Sequence, residues 1–207
     1  MLAFRADSVS RLVPDAETFA AVYPTLPDWR RRACDGLRFE ADRWRSAAAW
    51  LNLAQLLAEH GIRANDLPVR IGPFGKPTFD ADNGFHFNLS HAHDRVLAAI
   101  ADAPVGCDIE RIGPVSADVL RACLTDAERA EVEAAGDGEA RARAFCRFWV
   151  RKESYVKALG RGLSVEPKTI AAEPREWPGG WLCRDLDFTD SYLGAVTVQA
   201  RALAEPA

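Results

Sequence analysis

Residues 149–162 read WVRKESYVKALGRG, and the other segments of the chain are interpreted around them. Phe145, Phe148, Trp149, Tyr155, Val156 and Leu159 recur at threes and fours, which draws one apolar stripe down a helix. Gly160 and Gly162 follow the last stripe residue, where a left-handed cap belongs. The spacing predicts a helix from about Glu139 to Leu159. Lys152 interrupts the stripe between Trp149 and Val156. Glu153 and Lys157 lie one turn apart, so both side chains leave the same face. Such a pair is either an ordinary surface ion pair or a carboxylate and an ammonium aimed into a cleft.

Upstream, Thr125-Asp126-Ala127-Glu128 matches a capping box at the start of another helix, which Gly136-Asp137-Gly138 breaks. The run VGCDIERI, Val105 to Ile112, reads as a strand. Asp108 and Glu110 share one of its faces; Cys107 and Ile109 take the apolar other. Two adjacent acids repel, and each resists ionising without a compensating cation. Exposed polar alternation explains them without function. A hard-cation site explains them with one, since Mg²⁺ takes one or two protein carboxylates and fills its shell with water and phosphate oxygens.

Phe85 to Ser90 alternates, with Phe85, Phe87 and Leu89 on one face and His86, Asn88 and Ser90 on the other; Val96 to Ala101 completes a hairpin. Ser90 and His91 are adjacent on a strand, so they point apart and make no nucleophile–base dyad. Gly72-Pro73 and Gly75-Lys76-Pro77 are turn signals that confine Lys76 tightly. Arg38 to His60 is a helix with Ala47, Trp50, Leu51, Ala54, Leu57 and Ala58 on its apolar face. Arg38, Arg43 and Arg45 cluster at its start, the wrong end for the macrodipole, so they are either snorkelling surface residues or anion contacts. Residues 2–10 suit an edge strand and Pro14 to Tyr23 a short helix. Beyond Gly162, strands are expected near Lys168 to Ala172, Trp181 to Leu186 and Tyr192 to Ala200. Helix-then-strands thus occurs twice, with a break near residue 104.

The chain has 207 residues, 48% of them hydrophobic, enough for one sizeable domain or two small fused ones. No apolar run reaches the length of a membrane span, and MLAFRADSVSRL has no signal-peptide core, so the cytoplasm is the expected address. Five scattered cysteines without a CxxC pair suggest reduced thiols. A formal charge of -4 argues against a nucleic-acid binder. Arg143, Arg147 and Arg151, spaced at fours, would line one side of the long helix, as a solvated face or as a docking strip for an acidic partner.

Four blocks, GPFGKP, FNLSH, GCDIE and FWVRKESYVKALGRGL, stand in an order and spacing that resembles the 4′-phosphopantetheinyl transferases of the longer, surfactin-synthetase-activating type. The likeness covers roughly residues 38–165. It implies an α+β fold of two similar halves related by a pseudo-twofold, here 1–103 and 104–207, with the active site in the cleft between them. It implies that coenzyme A is cleaved at its pyrophosphate, that phosphopantetheine passes to a serine of an acyl or peptidyl carrier protein, and that 3′,5′-adenosine bisphosphate leaves. On that resemblance Asp108, Glu110 and Glu153 hold Mg²⁺, or Mn²⁺. Glu128 joins them as a ligand in preference to its capping role. Glu153 accepts the serine proton, and Lys157 meets the pyrophosphate. Lys76, Ser90 and His91 grip coenzyme A phosphates, while Gly75 and Pro77 shape the loop near the adenine. Lys152 holds a neighbouring anion or steadies Glu153. Arg38 is the expected 3′-phosphate contact, with Arg43 and Arg45 as competitors. The resemblance further implies a monomer. The rival readings are a Mg²⁺-dependent coenzyme A pyrophosphate hydrolase and a non-catalytic coenzyme A or carrier-binding module.

Overall fold

In the computed structural model, which describes residues 1–80, 84–162, 165–173, 175–188 and 191–200, two antiparallel sheets each carry one long helix. The first half contains β1 (Leu2–Ser8), α1 (Val9–Leu12), α2 (Ala16–Val22), α3 (Asp28–Asp35), α4 (Glu40–Glu59), β2 (Val69–Ile71), β3 (Pro77–Phe79), β4 (His86–Ala92) and β5 (Arg95–Ala101). The second contains β6 (Val105–Arg111), α5 (Ala117–Cys123), α6 (Asp126–Ala134), α7 (Glu139–Leu159), β7 (Glu176–Trp177), β8 (Trp181–Asp187) and β9 (Tyr192–Gln199). The fold class is α+β, as expected. The sheet orders are β1-β5-β4 and β6-β9-β8-β7, with β2 and β3 forming a separate ribbon. In each half a first strand leads into helices and then a hairpin, and the last strand pairs with the first. That shared connectivity is a strand–helices–hairpin repeat.

Strand β5 shows how the layers stack. Val96, Ala98 and Ile100 enter the core beneath α4, with Trp50, Leu53, Leu57 and Phe87. The alternate residues Leu97, Ala99 and Ala101 enter a second cluster with Val105, Cys107, Ile109, Leu186 and Val196. A strand apolar on both faces is one buried on both faces. The two sheets therefore meet across the second cluster, and α4 and α7 lie outside them.

The predicted edge strand is β1, and α2, α4, β4 and β5 fall where the sequence patterns place them, with ends displaced by a few residues. No strand forms over Lys168 to Ala172: Pro167–Thr169 is one 3₁₀ turn, and Ala172 instead donates its N–H to Glu128. The apolar stripe of α7 is also wider than its large residues suggest. Ala142, Cys146, Val150, Ser154 and Ala158 are all buried, and this row of small side chains faces the second sheet.

Candidate active site

The site is built where α7 crosses β6. Gly106 makes the crossing possible: a Cβ there would stand 2.1 Å from Ser154 O and 2.3 Å from Ala158 N. With no side chain at that position, the helix backbone settles against the strand. Two residues on, Asp108 meets Lys157, and two further on Glu110 lies beside Trp149, which favours its charged form. One face of β6 thus reads 106, 108, 110 against the last four turns of α7. Gly160, at φ +68°, ends the helix in the left-handed conformation that its position predicted.

The other edge of β6 is closed by side chains of β4. Asn88 Oδ1 accepts the Cys107 N–H at 2.8 Å, and Ser90 Oγ accepts the Ile109 N–H at 3.3 Å. These backbone donors point away from β9, so the first half supplies what a ladder strand would have supplied. Ser90 Oγ also donates to Asp108 Oδ1 at 2.8 Å and accepts from Lys157 Nζ at 3.0 Å; Lys157 Nζ itself reaches Asp108 Oδ1 at 2.6 Å.

Asp108 is 2% exposed, and its Oδ2 is buried with no hydrogen-bond partner. Burial, and then the charge of Asp108, pushes Glu110 up to about 7, with Lys157 and Trp149 opposing and Glu153 adding. Burial and Asp108 likewise raise Glu153, against Lys157. Burial works against the Lys157 ammonium, yet Asp108 outweighs it and holds the pKa above the usual value. Three carboxylates therefore press on one another around a single ammonium. Among the described residues no three His, Cys, Asp or Glu side chains are gathered closely enough to enclose an ion. The orphaned Oδ2 and the surplus negative charge nevertheless fit a hard cation in chemistry.

Several expected site residues have other occupations. Glu128 is not free to ligate: Oε2 takes the Thr125 N–H at 2.8 Å and Lys152 Nζ at 2.5 Å, and Oε1 takes the Ala172 N–H at 2.7 Å. The capping box forms in full, and capping prevails over ligation. Lys152 is 0% exposed and also donates to Cys123 O and Pro167 O, so it steadies Glu128 rather than Glu153 or an anion. Lys76 spends its donors on the Val105, Lys157 and Ala158 carbonyls. Ser90 bonds Asp108, Lys157 and the β6 backbone. Arg151 leaves the supposed strip altogether. It is buried and forms a two-point pair with Asp185, at 2.8 and 2.6 Å, and a further one with Glu173.

The basic cluster before α4 also resolves. Arg43 donates to Leu37 O, and Arg45 donates to His93 O and pairs with Asp42. Arg38 is exposed, lies over the Phe39 ring and has no ion pair among the described residues. His91 follows Ser90 on β4; burial of its ring, and then Lys157, Arg45 and Arg30, lowers its pKa. Arg30 had no signal in the sequence beyond its place in an arginine run. Gly106 did have one, a glycine inside an apolar strand, which marks close backbone approach. Asn88 and Trp149 carried no pattern that separated them from ordinary strand and core residues.

The comparisons with known proteins bear on this arrangement. Residues 104–200 match the family model described as the 4′-phosphopantetheinyl transferase superfamily. The chain is 29% identical to 4′-phosphopantetheinyl transferase psf-1 of Bacillus pumilus over 71% of this chain and 63% of that protein. It is 33% identical to 4′-phosphopantetheinyl transferase AcpT of Escherichia coli O157:H7 over 72% of this chain and 73% of that protein. The chain belongs to the 4′-phosphopantetheinyl transferase family. Similarity to Sfp of Bacillus subtilis strain 168, 29% over 52% of this chain, accords with the longer type. This family member spans about half to two thirds of the length of the first Bacillus and Aneurinibacillus relatives it matches. Among the described residues no helix is long and apolar enough to cross a membrane.

Proposed function

We propose that the chain transfers the phosphopantetheine of coenzyme A to a serine of an apo acyl or peptidyl carrier protein and releases 3′,5′-adenosine bisphosphate. The observation that carries this is the buried Asp108 with one oxygen unpartnered, flanked by Glu110 and Glu153 and by one ammonium, Lys157. In this reading Asp108, Glu110 and Glu153 hold Mg²⁺, with Mn²⁺ as a substitute of the same oxygen preference. Held there, such an ion would supply positive charge to neutralise pyrophosphate oxygens.

The remaining roles fall to the chain itself. Phosphoryl transfer depends on alignment and charge neutralisation more than on covalent help. Lys157, one turn from Glu153, offers its ammonium to the pyrophosphate and offsets the charge that develops there. Glu153, whose pKa burial and then Asp108 hold above the usual carboxylate value, accepts the serine proton directly or through water. Arg38, exposed and without an ion pair among the described residues, takes the 3′-phosphate, with Arg30 adding positive field and His91, held neutral by burial and its cationic neighbours, offering a ring N–H. Gly75, at φ +81°, and Pro77 shape the turn beside the adenine. Arg147, exposed on α7, and the half-buried Arg143 remain as contacts for an acidic carrier surface. The halves 1–103 and 104–207 act as two domains of one cytoplasmic monomer, since a single chain brings both walls of the cleft.

The test supplies coenzyme A, Mg²⁺ and a panel of apo-carriers, with and without chelator. A carrier that gains the mass of one phosphopantetheine supports transfer. Release of free phosphopantetheine means hydrolysis instead, and binding without turnover means a binding module. Asp108→Ala and Glu153→Ala should each abolish transfer in a folded protein; near wild-type turnover in either would remove that residue's role.

A further inference from the structure

The last turn of α7 ends on a cation supplied by the other half of the molecule. Lys76 Nζ donates to the carbonyls of Val105 at 2.9 Å, Lys157 at 2.6 Å and Ala158 at 3.3 Å. An ammonium has three donors, so none is left for a ligand. Lys157 O and Ala158 O belong to the last four carbonyls of α7; Lys157 O shares the capping Gly160 N–H, at 3.2 Å, with Val156 O at 3.1 Å, and Lys76 adds the charged donor. They also form the negative end of its dipole, where a cation is favoured. Val105 O begins β6, so one side chain touches both elements that build the site.

The mounting of Lys76 is rigid. Its own carbonyl accepts the Gly72 N–H at 2.8 Å, and the Gly75 N–H closes on Gly72 O at 2.9 Å. Pro77 follows and fixes the next φ. The lysine stem crosses the helix cap, where a Cβ on Gly160 would lie 3.4 Å from Lys76 Cδ. Phe74 of the same turn lies beside Gly162, where a Cβ would be 3.7 Å from its own.

We propose that Lys76 is a positioning residue, the latch by which the β2–β3 turn holds the last turn of α7, and with it Glu153 and Lys157, in register with Asp108. Residue 157 is tied twice, by its carbonyl to Lys76 and by its side chain to Asp108 and Ser90. A helix end that frays loses the first tie and lets the ammonium wander from the second. Misplacement of a catalytic group by about 1 Å can cost on the order of a hundredfold in rate. The effect on kcat rests on the transferase reading, whereas the effect on the helix end does not.

Lys76→Met and Lys76→Arg are compared with wild type by amide hydrogen exchange, coenzyme A binding and carrier modification. The latch predicts that Lys76→Met speeds exchange at the Gly160 amide at least tenfold. It also predicts that kcat falls at least tenfold, while Kd and KM for coenzyme A change less than twofold. Lys76→Arg, still cationic, should recover part of the kcat. A tenfold rise in Kd for coenzyme A with Gly160 exchange unchanged would overturn the latch and make Lys76 a phosphate contact. Unchanged exchange with unchanged kcat would overturn it as well. Should Lys76→Met fail to fold, the wild-type ammonium is followed by ¹⁵N NMR: slow exchange and a resonance unmoved by coenzyme A support the latch, and a resonance that moves on binding overturns it. If wild type modifies no carrier at all, the transferase reading fails, and the exchange and binding data still decide the latch.

Discussion

Replacing Glu110 with glutamine isolates the electrostatic tension on which the metal reading rests. Burial and the neighbouring Asp108 raise the Glu110 carboxyl from 4.5 to about 7. The folded protein therefore binds this proton more tightly than the unfolded chain. The associated stability is fully present below about 4.5 and is lost as the pH rises through about 7. At about 1.4 kcal/mol per pH unit, the rise corresponds to about 3 kcal/mol at pH 8, and solvent at this half-buried site screens it to about 2 kcal/mol. Glu110→Gln keeps the shape but carries no charge. In chelator at pH 8 the variant should be more stable than wild type by about 2 kcal/mol in urea unfolding, and the gap should close by about pH 4.5. Mg²⁺ should stabilise wild type far more than the variant, because the ion relieves a repulsion that the variant no longer has. If the variant is as stable as wild type or less so at pH 8 in chelator, the carboxylates do not strain against one another and the cation argument fails.

Further outcomes follow from the packing and from the surface charge. Gly106→Ala places a Cβ against the α7 backbone, and should cost about 3 kcal/mol or more in unfolding free energy and abolish transfer. Lys152→Met strands the buried Glu128 carboxylate and should cost about 3–5 kcal/mol, much of which Lys152→Met combined with Glu128→Gln should restore in the same denaturation assay. Arg147→Glu should raise KM for an acidic carrier several-fold at low salt with melting unchanged, whereas Arg151→Ala should lower the melting temperature by breaking its pairs with Asp185 and Glu173.

What the sequence determined by itself was local. Period-2 and period-3.6 patterns located β4, β5, β6, α4 and α7, the capping box marked Thr125 and Glu128, and the paired glycines ended α7. Placement of Asp108 and Glu110 on one face of a strand, and of Glu153 and Lys157 on one face of a helix, likewise needs only the repeat of each element. Tertiary structure decided which of these polar groups remain available for chemistry. Lys76, Lys152, Glu128, Ser90 and Arg151 each found partners on other elements, and spacing along one element cannot reveal a partner on another. A buried charge must be paired, and only the packed fold sets which oxygen or nitrogen stands within about 3 Å of it.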